Sequence, residues 1–158
     1  MAISVRPGRP AEAVGLTELI LRSKAHWGYD EAFLAQCRPA LTLHEDKVEA
    51  HRTLVAELDG RVAGVVTVTG EPPEGEIDLL FIDPWAIGHG VGRVLLDEAT
   101  AAAAVEGFES LLIESDPQAE PFYLRMGAVR IGEQISPATG RALPLLRLAA
   151  RTPGGSPK

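Results

Sequence analysis

The sequence predicts a mixed α+β fold, with a mostly antiparallel sheet that contains one parallel strand pair and is flanked by helices. Three observations support this prediction. The β-rich runs 53–58 and 61–69 are separated by Asp59-Gly60, a dipeptide typical of two-residue hairpins. The strand-like segments 76–82 and 110–114 are joined by a helical pattern, which is the connection that parallel strands require. The chain closes with two further strand-like runs, 128–135 and 143–149, which we expect to be antiparallel.

Local signals place the remaining elements in order along the chain. Pro10 suits the first turn of a helix whose apolar residues recur at helical spacing to about residue 25. Asp30 is expected to cap a second helix that closes before Pro39, and Gly107 to end the helix that begins at Val91. The other predicted elements are a strand over 2–6, a helical turn over 45–50, a Pro/Gly turn over 71–75 and a short helix over 117–126.

Length and composition predict one domain over 1–150 and a disordered tail over 151–158, where Pro, Gly and Ser predominate. The net charge of −7 argues against nucleic acid as a partner, because a phosphate backbone requires a basic surface. No run approaches the roughly 20 apolar residues that cross a bilayer, so no membrane span is expected. The single cysteine, Cys37, excludes an intramolecular disulfide, and we expect a cytoplasmic protein.

The most informative segment is the loop 87–93, Ile-Gly-His-Gly-Val-Gly-Arg, which follows a strand and opens a helix. Glycines let the backbone turn sharply, and the free N–H groups of a helix N-terminus favour an anion such as pyrophosphate. A dinucleotide fingerprint is excluded because its third glycine would fall at Arg93, and a P-loop because no Gly-Lys-Ser/Thr ends the segment. A glycine-rich connection without a ligand stays an alternative at this point.

Two segments of the C-terminal half resemble motifs of the GNAT superfamily of N-acetyltransferases. Residues 76–95, EIDLLFIDPWAIGHGVGRVL, are similar to its acetyl-CoA-binding motif, with Ile87 where the family has Arg or Gln. Residues 120–128, EPFYLRMGA, are similar to its Phe-Tyr-x-x-x-Gly-Phe motif, with Ala128 in place of the last Phe. The two motifs have the family's order and separation. The resemblance implies that the parallel strands at 76–82 and 110–114 splay apart.

The resemblance also implies an N-acetyltransferase that uses acetyl-CoA as a co-substrate, without a metal. In the family the acceptor amine usually attacks the thioester directly, so no acyl-enzyme is expected. Phe81 and Ile82 match the positions whose amides pair with the pantetheine arm. Tyr123 matches the tyrosine that protonates the leaving thiolate; an aromatic that only packs against the sheet is the alternative. The residues that match the pyrophosphate loop are Gly88, His89, Gly90, Val91, Gly92 and Arg93.

Direct attack needs a base, because a lysine-like amine has a pKa near ~10.4 and is protonated at neutral pH. Strand alternation places Glu76, Asp78 and Leu80 on one face. Glu76 is the favoured base, since its spacing from Ile87 is similar to that of the catalytic glutamate in histone-acetylating members of the family. Asp78 is the second candidate, and His26 the third, because histidine titrates near neutral pH. A solvated strand face is the alternative.

The acceptor pocket is expected between the first two helices and the final loop. Trp27 and Tyr29 lie at the helix junction, where family members place substrate-facing residues, and Arg141 suits a carboxylate on the acceptor. We expect Asp78 to face the acceptor as well. Core packing of Trp27 and a merely solvated Arg141 are the alternatives. The acceptor is expected to be the amine of a small molecule or a peptide, and the closing strands could form a homodimer. The alternative function is an acetyl-CoA-binding sensor without turnover.

Overall fold

The computed structural model describes residues 2–50 and 52–151, and within them seven strands form one sheet in the order β1-β2-β3-β4-β5-β7-β6. The strands are β1 (Ile3–Pro7), β2 (Arg52–Leu58), β3 (Arg61–Glu71), β4 (Glu74–Ile82), β5 (Ser110–Glu114), β6 (Val129–Ile135) and β7 (Ala142–Ala149). The helices are α1 (Ala13–His26), α2 (Glu31–Leu41), α3 (Glu45–Ala50), α4 (Val91–Val105) and α5 (Glu120–Arg125), with 3-10 turns at Pro10–Glu12 and Pro84–Ala86. All neighbouring strands are antiparallel except β4 and β5, so the predicted mixed, mostly antiparallel sheet is confirmed.

The hairpin between β2 and β3 turns at Asp59-Gly60, as predicted. Both residues have positive φ, 52° and 82°, which is the backbone of a turn that matches the twist of the flanking strands. Leu58 and Arg61 consequently lie opposite each other, and β1 extends the sheet by pairing with β2.

Helices cover both faces of the sheet and create two apolar cores. Beneath α4 the fully buried side chains include Leu95, Leu96 and Leu111. On the opposite face, α1, α2 and α3 bury a second set around Leu16 and Ile20. Because each such side chain contributes about 1.5–3 kcal/mol on burial, the sheet is held firmly from both sides.

The boundaries of α2 agree with the prediction at its start and differ at its end. Asp30 caps the helix, since its carboxylate accepts from the Phe33 amide at 2.8 Å. The helix was expected to close before Pro39, but it continues to Leu41. Pro39 lies in the last turn, where Leu41 is buried in the core and the Thr42 hydroxyl donates to a carbonyl of the preceding turn at 2.7 Å.

The short helix α5 begins at Glu120 and not at residue 117, because a turn occupies the preceding residues. The Asp116 carboxylate accepts from the Gln118 amide at 2.9 Å, and the Asp116 carbonyl accepts from the Ala119 amide at 2.9 Å. These bonds satisfy the backbone in a turn that competes with a helical start.

Two further sequence predictions concern the C-terminal tail and the absence of a membrane-spanning segment. The predicted tail over 151–158 lies outside the described residues except for Arg151, whose guanidinium donates to the Met126 carbonyl at 3.0 Å. Among residues 2–50 and 52–151, no helix has the length and apolar character needed to cross a bilayer.

Candidate active site

A gap opens in the sheet where β4 and β5 part. The two strands pair in parallel as far as Ile77 and Ile113. β5 then ends at Glu114, whereas β4 continues to Ile82. Beyond Ile77, the edge of β4 that faces β5 therefore has no strand partner among the described residues. The splayed pair that the resemblance implied is present in the fold.

A cavity of about 720 Å³ occupies this gap. Its walls come from the open ends of β4 and β5, the loop before α4, the start of α4, α5, the C-terminal ends of α1 and α2, and the turn between β6 and β7. His89 and Tyr29 are not among the residues that line it. The candidate residues that line it are Trp27, Glu76, Asp78, Phe81, Ile82, Gly88, Gly90, Val91, Gly92, Arg93, Tyr123 and Arg141.

The loop before α4 has a backbone suited to an anion. Gly88 and Gly90 have φ of 90° and 82°, a region that residues with side chains disfavour. A Cβ at either position would meet nothing within 4 Å, so the backbone conformation, and not crowding, requires glycine there. Gly90 caps α4, and the amides of Val91, Gly92 and Arg93 fall in the first turn, where a helix offers no internal acceptor. Because these residues line the cavity, one end of it favours a phosphate group.

Tyr123 lies on α5, buried at the wall of the cavity. The Phe122 ring packs edge-on against it, with 5.2 Å between the ring centroids. A Cβ added to Gly92 would contact the Phe122 ring at 3.4 Å, so α5 packs closely against the first turn of α4. Burial raises the pKa of Tyr123 well above its usual range. The hydroxyl therefore keeps its proton at neutral pH and is available as a donor.

A β-bulge interrupts β4 at the mouth of the gap. Ile77 pairs with Val68 and Leu79 pairs with the adjacent Thr67, so Asp78 is an extra residue with no partner on β3. At this point the Leu79 amide donates to the Thr67 hydroxyl at 3.1 Å. The bulge bends the strand just where it leaves β5, next to the candidate carboxylates.

The bulge corrects the predicted faces of β4. Ile77 before it and Leu80 after it both pack in the core beneath α4, whereas Leu79 packs beneath α1. Alternation then puts Glu76 on the α1 side with Leu79, opposite Ile77. The predicted common face of Glu76, Asp78 and Leu80 is therefore wrong, because simple alternation takes no account of an inserted residue. Glu76 and Asp78 nevertheless both line the cavity.

Carboxylates concentrate at the open ends of β4 and β5. Glu76 is exposed to solvent on the strand, yet partial burial of its carboxyl raises its pKa, and the negative charges of Asp78 and Glu114 raise it further. Burial likewise raises the pKa of Glu114. A carboxylate with a raised pKa is a stronger base, and its negative neighbours attract an ammonium group. This part of the cavity is therefore suited to take a proton from a cationic amine.

A second group of charged side chains lies at the junction of α1, the β5–α5 turn and the β6–β7 turn. We call Lys24, Tyr29, Asp116 and Arg141 the cavity cluster. The Asp116 carboxylate accepts from Lys24 Nζ at 2.8 Å and from the Tyr29 hydroxyl at 2.6 Å, and Arg141 approaches it at 3.8 Å. Except for Tyr29, its members line the cavity. A positively charged wall thus accompanies the acidic one.

The sequence analysis missed Lys24 and Asp116. They are 92 positions apart, so no local pattern joins them. Asp116 lies just beyond the carboxyl end of a parallel strand, where ligand sites gather in open sheets, and that position was the available signal. Nothing local marks Lys24. His26, the third candidate base, and Trp27 line the cavity at the end of α1.

We looked for side chains that could bind a metal ion in the part of the chain that the structure describes. No three His, Cys, Asp or Glu side chains among those residues come together in a way that could hold a metal ion.

A family profile and two bacterial relatives point to the same protein family. The sequence profile described as "Acetyltransferase (GNAT) domain" matches residues 12–144. The peptidyl-lysine N-acetyltransferase YjaB of Escherichia coli K12 is 30% identical over 154 residues, which cover 94% of this chain and 97% of that protein. The YjaB protein of Salmonella typhimurium is 35% identical over 85 residues, and the matched segment spans 54% of each protein.

A solved structure has the same architecture. The PaiA N-acetyltransferase from Thermoplasma acidophilum, crystallised in complex with coenzyme A, superimposes with a TM-score of 0.74 at 17% identity, over 94% of this chain and 99% of that one. At this identity the likeness establishes the fold.

Proposed function

Because this chain belongs to the family of GNAT acetyltransferases, acetyl-CoA is its acyl donor and an amine its acceptor, and we propose that the acceptor amine is that of a lysine and attacks the thioester directly. The observation that carries this proposal is the gap between β4 and β5, which joins the anion-suited loop to the acidic residues in one cavity. The relatives named as peptidyl-lysine N-acetyltransferases support lysine as the acceptor.

The chain's own backbone would hold the donor. The amides at the start of α4, with Gly88 and Gly90 shaping the turn, suit the pyrophosphate, and Arg93 adds a positive charge to the same end of the cavity. Phe81 and Ile82 lie on the part of β4 that has no β5 partner, and in this proposal their backbone groups would pair with the pantetheine arm. Acetyl-CoA supplies an acetyl group already activated as a thioester.

Glu76 is the proposed base. The acceptor enters as an ammonium ion and must lose a proton before its nitrogen can form the new C–N bond. The raised pKa of Glu76, caused first by burial and then by Asp78 and Glu114, brings its proton affinity closer to that of the amine. The same negative charges hold the ammonium group nearby. Asp78 and His26 also line the cavity and are the other candidates for this step.

Tyr123 is the proposed acid. As the C–N bond forms, the C–S bond breaks, and the departing sulfur needs a proton. The buried Tyr123 hydroxyl keeps its proton because its pKa is raised, and it makes no hydrogen bond to another described residue. It would donate that proton to the sulfur and recover one from the acceptor nitrogen, which sheds its second proton as the amide forms, while Glu76 passes the first amine proton to solvent.

Two substitutions test these roles. Glu76→Gln and Tyr123→Phe should each lower kcat for a lysine peptide by about 10²–10⁴-fold, measured as thiol release from acetyl-CoA, because each removes one proton transfer. Glu71→Gln, at an exposed position of β3, is the matched control and should be unchanged. Unaltered turnover in either variant would remove that residue from the mechanism. Binding of acetyl-CoA by the wild type without any thiol release, across a panel of amines, would favour the sensor.

A homodimer through the closing strands is also proposed. β6 is one of the two edge strands among the described residues, and Val129, Ile131 and Ile135 on it are exposed to 62%, 42% and 62%. Antiparallel pairing with a second copy, centred between residues 131 and 132, would bring Arg130 of each copy opposite Glu133 of the other. Light scattering should then give a dimer mass that Ile131→Lys reduces to that of a monomer.

A further inference from the structure

The cavity cluster contains a cation that its own carboxylate does not neutralise, and we propose that Arg141 binds a carboxylate of the acceptor. The acceptor would therefore carry a carboxylate close to its reacting amine. This inference rests on the proposed acetyl transfer and narrows its substrate class.

The Asp116 carboxylate already accepts from three donors, one of which is a cation. Its Oδ2 accepts from Lys24 Nζ at 2.8 Å and from the Tyr29 hydroxyl at 2.6 Å, and its Oδ1 accepts from the Gln118 amide at 2.9 Å. Burial alone would raise the pKa of Asp116, but the hydrogen bonds from Lys24 and Tyr29 hold it below its usual range, so the group is ionised. The Lys24 ammonium balances this charge. Arg141, with a closest approach of 3.8 Å to Asp116, is the surplus cation.

The Arg141 guanidinium is held in place but makes few hydrogen bonds. It stacks near the Phe33 ring, with 4.7 Å between Cζ and the ring centroid, and near the Tyr29 ring at 5.2 Å. Its Nη1 donates to the Tyr29 hydroxyl at 3.3 Å, and its Nε is buried without an acceptor among the described residues. The side chain is 32% exposed and lines the cavity. A fixed, planar donor with unused N–H groups is the partner that a carboxylate binds in bidentate fashion.

Another part of the cavity wall is acidic, and we call it the acidic pole. Glu76, Asp78 and Glu114 line the open ends of β4 and β5, and Glu114 is only two positions before Asp116. An acceptor with both an ammonium and a carboxylate group can therefore satisfy the two poles together. A diamine would leave Arg141 unpaired. Two kinds of molecule supply the required chemistry: a free diamino acid, or a peptide whose lysine lies beside an acidic side chain.

Matched acceptors test the proposal. Thiol release from acetyl-CoA by the full chain is measured with lysine against lysinamide, and with a peptide containing Lys-Glu against its Lys-Gln twin. The carboxylate-bearing member of one pair should have a kcat/KM about 30-fold higher, because a charge-assisted hydrogen bond to the carboxylate is lost in its twin. The pair that responds identifies the source of the carboxylate. Equal kcat/KM within both pairs, with turnover present, would overturn the proposal.

Variants assign the effect to Arg141. Arg141→Gln should abolish the preference by raising KM for the carboxylate-bearing acceptors, and Arg141→Lys should keep part of it because the charge remains without the planar fork. Arg38→Gln, at an exposed position of α2, is the matched control and should retain the full preference. A preference that survives in Arg141→Gln would overturn the proposal.

Tyr29 is the proposed positioning residue. Tyr29→Phe removes a hydrogen bond from Asp116 and leaves that carboxylate free to pair with Arg141. In this variant the preference for the carboxylate-bearing acceptor should therefore fall several-fold, through a higher KM for that acceptor and with kcat unchanged. An identical loss for the neutral twins would instead mean a general structural defect and would contradict this role.

A binding measurement separates this inference from the acetyl-transfer proposal. Equilibrium dialysis in the presence of CoA compares N-ε-acetyl-lysine with N-ε-acetyl-lysinamide, and the acetylated Lys-Glu peptide with its acetylated Lys-Gln twin. In at least one pair the carboxylate form should bind the wild type more tightly, with no difference for Arg141→Gln. If no amine is acetylated but this difference persists, the acetyl-transfer proposal fails and the carboxylate site stands. If amines are acetylated without the difference, the carboxylate site fails alone.

Discussion

Charged side chains hold α1 at both of its ends, and the two groups have opposite charge balances. At the N-terminal end, Arg6 donates to Glu12 at 2.7 and 2.9 Å and to Glu57 at 2.8 Å, and we call these three residues the sheet cluster. One cation there lies between two carboxylates. In the cavity cluster at the other end, Lys24 and Arg141 share the single carboxylate of Asp116.

The difference separates a structural role from a binding role. In the sheet cluster, each N–H-bearing nitrogen of Arg6 has a protein acceptor, so removal of Arg6 leaves two partly buried carboxylates without their cation. In the cavity cluster, Lys24 and Asp116 form a pair that is 10% exposed on each side, whereas Arg141 contributes a charge without a matching partner beside an open cavity. A partly buried charge is costly without a partner, and the proposed acceptor carboxylate would supply one for Arg141.

The largest expected effect comes from Asp116→Asn. Removing the carboxylate leaves Lys24 and Arg141 as neighbouring cations, one of them nearly buried, and should lower the free energy of unfolding at pH 7 by about 3 kcal/mol in urea titrations. The pKa of Asp116 is lowered in the fold, so its contribution is present at neutral pH and is lost as the pH falls through the folded-state pKa. The difference in unfolding free energy between the wild type and the variant should therefore become smaller in acid. A difference in unfolding free energy that stays constant down to pH 2 would contradict this assignment.

Arg6→Met should have the next largest effect. It leaves Glu12 and Glu57 without their cation, but both retain some solvent access, so the expected loss is about 2 kcal/mol with turnover per folded molecule unchanged. Arg141→Gln is the matched comparison and should change the unfolding free energy by less than about 1 kcal/mol, since it removes mainly ring stacking. Equal losses in the two variants would remove the distinction between the clusters.

The smallest expected effect concerns the acidic pole. The negative charge of Asp78 contributes to the raised pKa of Glu76, after burial. Asp78→Asn should therefore shift the acid limb of the kcat/KM–pH profile to lower pH by a fraction of a unit, because Glu76 then loses its proton more readily. A shift toward higher pH would rule out repulsion between the two groups as a cause.

Local chemistry made much of the fold predictable. Asp59-Gly60 marked the hairpin, Asp30 marked the start of α2, and the strand–helix–strand order marked the parallel pair. The glycines of the loop before α4 located the anion-suited end of the cavity, since their positive φ values are a property of the residue type.

The remaining features depend on contacts between distant parts of the chain. The bulge at Asp78 inserts one residue relative to β3, and the sequence of β4 alone does not reveal it. The end of α2 depends on the burial of Leu41, which outweighs the tendency of Pro39 to stop a helix. Lys24 and Asp116 meet only because α1 passes the end of β5, so their charge balance with Arg141 is a product of the tertiary structure.

The most direct test of the account is whether acetyl-CoA binds in the gap between β4 and β5. Titration of the ¹⁵N-labelled chain with acetyl-CoA should shift the backbone amides of Phe81, Ile82 and residues 88–93 in a saturable way, and leave those of Arg6 and Glu57 in place. Saturable binding that leaves the amides of 81–82 and 88–93 unmoved would contradict the account.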